Sequence, residues 1–363
     1  MKNPFAPYQL AGIPLRNRFV RSATVSPYST GGVMRPAGIR HYRLLAKNQV
    51  GLIIMEMCNI CPEGKSSRTQ PSLCCEEDAI RHRKVTEAVH QEGAKIFAQI
   101  NHGGAASLCE EPLSPSGIPS PYTNSPAKIM TEAEIADVTQ KFAASAVWAK
   151  EAGYDGVQIH CAHGYLLSQF INPYFNQRDD AYGGTPENRF RFPAEVIAAV
   201  KEAVGPEYPV CIKINSNAER DDEAYEAALM WMGQKCAELG VCAIEVSGHD
   251  FTPQGRAGKH AYYLERAAKL RACSGLPVML VGGIRTLEDI QTVLDAGIDL
   301  ISMSRPFLCQ PDAVLRLERG ESLQCNSCSK CFIMLRKFET EGRLCILHPQ
   351  GSDADAQIEG LEP

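Results

Sequence analysis

Apolar residues in this chain fall into short unbroken runs, separated by longer stretches in which they recur every third or fourth position. The runs lie at 18–23, 50–57, 94–101, 156–161, 209–215, 243–248, 277–283 and 300–305. Strands buried on both faces read this way, whereas a strand with one wet face alternates. The three- and four-residue spacing is clearest at 78–92, 132–152, 187–203, 223–239, 286–296 and 311–319, which predicts helices, several with acidic residues near their starts. Eight strand–helix units closing on themselves predict an α/β fold of the (β/α)8 TIM-barrel type. An open doubly wound sheet is the alternative, and the lack of a GxGxxG after the first run counts against it.

Three segments fall outside the repeat. Residues 3–17 read as a short hairpin that caps the barrel bottom. Residues 103–130, rich in Gly, Ser and Pro, follow the third strand and read as a substrate lid or a plain surface insertion. The chain therefore divides into a barrel over 1–320 and a cysteine-rich extension over 321–363.

Composition changes this picture in only two ways. A net charge of −5 argues against a nucleic-acid or anionic-membrane partner, and no apolar run approaches the roughly 20 residues of a membrane helix. MKNPFAPYQL has no apolar core, so no signal peptide is read, and the expected location is cytoplasmic. Of the fifteen cysteines, those scattered singly, such as Cys211, Cys236, Cys242 and Cys273, read as small buried hydrophobes in a reducing compartment.

Candidate chemistry collects at strand ends, where barrel enzymes place it. His160 closes the fourth run, and His163 and Tyr165 follow at once, giving two imidazoles and a phenol within six residues. Gln99 ends the third run, Lys213 lies on the fifth, Gly282 and Gly283 end the seventh, and Ser304 and Arg305 end the eighth. Glycines that let the backbone approach, with a nearby guanidinium, suit a phosphate.

The residues from His160 to Phe192 follow HxxHGYLLxQF and then NPxxNxRxDxYGGxxENRxRF. This long motif resembles the Old Yellow Enzyme family of FMN-dependent NAD(P)H oxidoreductases. The likeness continues through NRFVRSAT at 17–24, GLIIMEM at 51–57, AQINHGG at 98–104, IKIN at 212–215, VGGI at 281–284 and SMSRPF at 302–307. The resemblance implies that Ser22, Ala23 and Thr24 lie along the flavin, with Met57 packed on the ring and Gln99 at its pyrimidine edge. It places Lys213 beside N1 and the C2 carbonyl, and the phosphate on Gly282, Gly283, Ser304 and Arg305. His160 and His163 would donate to a substrate carbonyl oxygen, and Tyr165 would protonate the α-carbon. Asn176, Arg178, Asp180, Asn188 and Arg189 read as scaffold of the loop after the fourth strand.

Two features depart from the pattern. Val25 stands where some relatives carry a flavin-contacting cysteine, which disfavours a covalent flavin. Cys325, Cys328, Cys331 and Cys345 form a C-terminal group. Larger relatives of the 2,4-dienoyl-CoA reductase and trimethylamine dehydrogenase kind hold a four-iron cluster at such a place, here with the third cysteine one residue early. A 4Fe–4S cluster, zinc on the same thiolates, or no metal at all are the three readings.

The expected activity is NAD(P)H-driven reduction of an α,β-unsaturated carbonyl compound, with both half-reactions in one site. A flavin amine dehydrogenase is the first rival, disfavoured because amine oxidation leaves no carbanion for Tyr165 to protonate. An electron-transfer subunit docking a partner is the second, and a tRNA-modifying flavin barrel a distant third. Homo-oligomers are what the resemblance implies. The lid and the residues Ser247, Gly248, His249, Asp250 and Phe251 are expected to shape a small-molecule substrate that residue types do not name.

Overall fold

The computed structural model describes residues 2–219, 221–333 and 344–347. Eight parallel strands close into a barrel: β1 (Phe19–Arg21), β2 (Leu52–Ile54), β3 (Lys95–Asn101), β4 (Gly156–Cys161), β5 (Val210–Asn215), β6 (Ile244–Ser247), β7 (Val278–Val281) and β8 (Leu300–Met303). Each pairs with the next, and β8 pairs back onto β1 through Ser302 and Val20. The strands are buried along their length except for Lys95 at the start of β3, as their unbroken apolar runs require. β2 breaks after Ile54 and resumes pairing with β3 at Cys58–Asn59, so Met57 sits at the interruption.

The hairpin expected at 3–17 pairs Tyr8–Leu10 with Ile13–Leu15. Ala11 and Gly12 both have positive φ, the geometry of a two-residue turn matched to strand twist. Its Leu10 and Leu15 pack with Val20, Leu52, Ile54, Phe97, Cys211, Met279 and Leu300, plugging the N-terminal end of the barrel.

Helices predicted from periodicity stand at Glu76–Gln91, Glu132–Glu151, Pro186–Val204, Glu223–Glu238, Leu287–Asp295 and Ala313–Glu318. Thr131 starts the second of these through a reciprocal capping box with Glu134, and Thr286 starts the fifth through one with Asp289. Two further barrel helices, Pro36–Lys47 and Leu264–Ser274, stand outside the segments expected from periodicity. The first mixes a buried His41 and Gly38 into its inner face, and the second buries only Ala267 and Leu270. No helix among the described residues is long and apolar enough to cross a membrane.

The 103–130 segment is pinned rather than loose. Leu113–Ser114 pairs with Lys128–Ile129, and the Thr123 hydroxyl donates to the Ala105 carbonyl at 3.1 Å. Beyond residue 320, Ser327 and Ser329 hold the chain against the barrel by accepting from Arg285 at 3.2 Å and Arg305 at 3.0 Å.

Candidate active site

A cavity of about 440 Å³ opens at the C-terminal ends of the strands. Ser22, Ala23, Thr24 and Val25 from the end of β1 form part of its wall, with Met57, Lys213, Gly282, Ser304 and Arg305. His163 and Tyr165 line it as well. Gln99, His160 and Gly283 are not in the wall; His160 lies beside His163 and Tyr165, Gly283 follows Gly282, and Gln99 connects to the wall through Gln158 and Glu245.

Beneath Ser22 and Lys213 lies a buried polar chain. The Gln99 amide nitrogen donates to Gln158 Oε1 at 2.6 Å, and Gln158 in turn donates to Glu245 Oε2 at 3.0 Å. Lys213 Nζ lies 3.1 Å from Glu245 and donates to Ser22 Oγ at 2.7 Å. Ser302 donates to the other Glu245 oxygen. Burial alone would raise the Glu245 carboxyl, but the Lys213 charge and the hydrogen bonds reverse this and hold it below its ordinary value. Sequence reasoning passed over Glu245, whose one signal is a lone acid inside an apolar strand.

At the phosphate-type end, Gly282 and Gly283 have φ of +137° and +71°. A Cβ on either would come within 2.7–2.8 Å of the Tyr262 ring, so only glycine fits this cradle. Arg305 reaches the Tyr262 hydroxyl at 3.0 Å and has no carboxylate partner among the described residues. A guanidinium in a cavity wall without a counter-charge suits a phosphate monoester. The cavity, the glycine cradle, Lys213 at its floor and this open cation fit FMN.

The catalytic-type residues come from the turn after β4. His163 takes φ +60°, a left-handed conformation uncommon outside glycine, followed by Gly164 at +73°. Its backbone N–H donates to Asn215 Oδ1 at 3.3 Å, and its Nε2 lies 2.9 Å from Ser247 Oγ. The His160 ring centroid is 5.2 Å from those of both His163 and Tyr165, and His160 Nδ1 has no hydrogen-bond partner among the described residues. Burial pushes His163 down to about 3 and His160 well below the usual range, with Lys213 pushing the same way. Both imidazoles are therefore neutral at pH 7, each with a single N–H. Burial also raises the Tyr165 phenol, against a hydrogen bond from Ser66, so it keeps its proton.

Sequence reasoning also missed Ser66, Ser67, Tyr122, Tyr262, Tyr263 and Phe332 in the wall, which irregular segments deliver with no periodic signal. Asn176 and Arg178, expected as scaffold, tie their loop together: the Asn176 amide donates to the Phe170 and Tyr182 carbonyls, and Arg178 binds Asp180. Arg189 donates to the Ile171 carbonyl at 3.2 Å, and the Asn188 N–H takes the Thr185 cap.

Among the cysteines, Cys325 and Cys345 pack with Cys309, whose thiol is hydrogen-bonded to Cys345. Cys331 lines the cavity, and Cys328 is half-buried nearby. Burial raises the Cys331 thiol to about 11 and also raises Cys325, with Arg305 working against both. Among the described residues, no three His, Cys, Asp or Glu side chains are arranged to hold a metal ion.

Comparison with known proteins gives this site a lineage. Residues 4–324 match the NADH:flavin oxidoreductase / NADH oxidase family. The chain is 31% identical to an NADH oxidase of Thermoanaerobacter brockii over 96% of its own length, but spans only about half (56%) of that relative. It is 33% identical to an NADPH dehydrogenase of Geobacillus sp. (strain WCH70), covering 85% of this chain and 91% of that one. The structure of morphinone reductase in complex with tetrahydroNAD superposes with a TM-score of 0.78 at 27% identity, over 89% of this chain and 92% of the other. With the closed barrel and the glycine–arginine cradle, these matches show that the chain belongs to the NADH:flavin oxidoreductase / NADH oxidase family, that of Old Yellow Enzyme.

Proposed function

We propose that the protein is an FMN-dependent, NAD(P)H-driven reductase of the activated C=C bond of α,β-unsaturated carbonyl compounds. The observation that carries this reading is a neutral His163 and a protonated Tyr165 in one cavity wall, both beside His160. Bound FMN would supply hydride transfer between a reduced nicotinamide and the substrate. Ser22, Ala23, Thr24 and Met57 would flank its ring, Lys213 would sit at the N1 edge with Gln99 behind it, and Gly282, Gly283, Ser304 and Arg305 would hold its phosphate.

Charge builds on the substrate's carbonyl oxygen as the β-carbon is reduced, and a preorganised N–H is worth most there. Ser247 Oγ lies 2.9 Å from His163 Nε2, and in the tautomer in which Ser247 donates the His163 N–H sits at Nδ1 and can serve that oxygen; the Nδ1 of His160, behind the wall, has no partner among the described residues. Tyr165 then gives its proton to the α-carbon. We further propose that Cys325, Cys328, Cys331 and Cys345 hold a 4Fe–4S cluster, with zinc as second choice. Their CxxCxxC spacing and the packing of Cys325 with Cys345 support this, and binding would require the four thiols, which are not gathered around one point here, to draw together. The division into barrel and extension at residue 320, a cytoplasmic location and a homo-oligomeric state belong to the same proposal.

The test separates the half-reactions. Tyr165→Phe should leave flavin reduction by NAD(P)H near the wild-type rate, while reoxidation by 2-cyclohexenone slows by about 100-fold or more, the span of general acid catalysis. Full-rate reoxidation by the variant would end the proton-donor role.

A further inference from the structure

The rings around the cavity form an unbroken series. Tyr122 lies 6.4 Å from Tyr165, Tyr165 lies 5.2 Å from His160, and His160 lies 5.2 Å from His163. His163 then lies 5.8 Å from Phe251, and Phe251 lies 6.2 Å from Phe332. Every step is within the centroid range of favourable ring pairs. The inner rings belong to barrel loops and are held in place. The two end rings come from outside the barrel repeat, Tyr122 from the 103–130 segment and Phe332 from the C-terminal extension. Both end rings line the cavity yet remain exposed, at 64% and 47%.

Tyr122 is not an idle surface residue. Its N–H donates to Ser120 Oγ at 3.3 Å, and its hydroxyl donates to the His163 carbonyl at 3.4 Å. Its ring is inclined 29° to that of Tyr165. The lid thus fastens one aromatic face to the same turn that carries the proton donor.

Charge narrows what these faces can receive. Among the described residues, Lys213 and Arg305 are the only Lys or Arg in the wall, and no Asp or Glu lines it. Lys213 is committed to Ser22 and Glu245, and Arg305 lies at the glycine cradle. The described wall therefore offers no further cation to an anionic group and no carboxylate to an amine.

From these observations we infer that Tyr122 and Phe332 act as specificity-determining residues, selecting uncharged, planar aromatic α,β-unsaturated carbonyl compounds over small aliphatic ones. The inference rests on the reductase reading and adds the substrate class. A ring conjugated to the enone would extend past Tyr165 and cover the exposed face of Tyr122 or Phe332. A six-carbon cyclic enone would end short of both.

The test uses flavin-loaded protein reduced photochemically under anaerobic conditions, so that nicotinamide binding does not enter. Reoxidation by trans-cinnamaldehyde and by 2-cyclohexenone gives an apparent Kd for each. Wild type should prefer cinnamaldehyde, and Tyr122→Ala or Phe332→Ala should lower that preference about tenfold, while Tyr122→Phe keeps at least half of it. A preference ratio unchanged in both alanine variants overturns the inference. Binding of 4-hydroxybenzaldehyde to the oxidised protein, followed by the flavin spectrum, decides the same question without turnover. If wild type reduces neither enone, the reductase reading fails, and the aromatic-wall claim still stands or falls on whether Tyr122→Ala weakens that titration about tenfold. Tight binding of tetramethylammonium, with none of the aldehyde, would make the ring series a cation cage and refute the claim.

Discussion

Replacing Glu245 by Gln tests the polar floor of the cavity. Glu245 is fully buried and Lys213 is 2% exposed, so neither charge has water to fall back on. The carboxylate accepts from Gln158 and Ser302 and faces Lys213 at 3.1 Å. A glutamine keeps the shape but supplies one acceptor oxygen where two were used, and it sets an NH2 against either the Gln158 amide or the Ser302 hydroxyl. It also leaves Lys213 as a buried ammonium without a counter-charge. Breaking a buried pair in this way costs about 3–5 kcal/mol. Urea unfolding of wild type and variant, compared at equal slope, measures the loss. Adding Lys213→Met should restore much of it, because it removes the buried ammonium that the first change leaves without a counter-charge. A loss below about 1 kcal/mol for Glu245→Gln alone, or no recovery in the double variant, would show that Lys213 and Glu245 do not depend on each other. On this reasoning the single variant should also bind a reduced, anionic flavin more tightly than wild type does.

Three further outcomes follow from the same geometry. Gly282→Ala places a methyl 2.7 Å from the Tyr262 ring at a φ of +137°, so FMN affinity measured by fluorescence titration of the apoprotein should fall more than tenfold; unchanged affinity would remove the cradle from the binding site. Ser247→Ala takes away the one group among the described residues that is bonded to His163 Nε2, and enone-driven reoxidation should slow about tenfold while photoreduction is unaffected; equal rates would mean the tautomer is set elsewhere. Burial holds His82 and His102 at about 4 and His163 at about 3, and lowers His160 well below its ordinary value. Their folded values lie below the unfolded ones, so their contribution is complete above pH 6.5 and is lost as pH falls toward 4. Glu56, raised by burial to about 7, works in the opposite direction between 4.5 and 7. The net slope is therefore at most about 4 kcal/mol per pH unit in that window, and a urea midpoint that stays flat from pH 6.5 to 5 would contradict it.

The strands were readable because burial on both faces leaves an apolar run with few alternatives. The Pro36–Lys47 helix was overlooked although its signal was present: Ile39, Tyr42, Leu45 and Ala46 recur at helical spacing and face inward, with Arg40 and Arg43 between them. His163 and Tyr165 were legible because they follow directly on a strand end. Tyr122 and Phe332 were not, since irregular chain carries them to the cavity and only the folded contacts, such as Tyr122 with His163, fix where they arrive. Cys309 is a similar case. It lies outside the CxxCxxC spacing, and only the short Arg305–Cys309 helix brings it to Cys325 and Cys345.

Reading the inward positions of the strands two residues at a time explains why this barrel has its site at one end. Val20, Phe97, Cys211, Ala243, Met279 and Leu300 belong to the apolar plug that the hairpin closes. Two residues further along the same strands stand Ser22, Gln99, Lys213, Glu245 and Ser302, with Val281 as the exception on β7. Four of the five join the chain around Glu245 directly, and Gln99 joins through Gln158. Two residues further again come Thr24 after β1, His160 two beyond Gln158 on β4, Ser247 on β6 and Ser304 after β8; Thr24 and Ser304 are bonded at 2.8 Å. β1, β6 and β8 therefore pass from apolar to polar to cavity-lining residues in steps of two. The in-register pairing of Lys213 with Glu245 and of Gln158 with Gln99 keeps like levels side by side around the barrel. The polar level costs stability wherever a partner is missing, which is why its members are bonded to one another. At the level above, His160 stands behind His163 and Tyr165 rather than in the cavity wall, and its buried Nδ1 has no partner among the described residues.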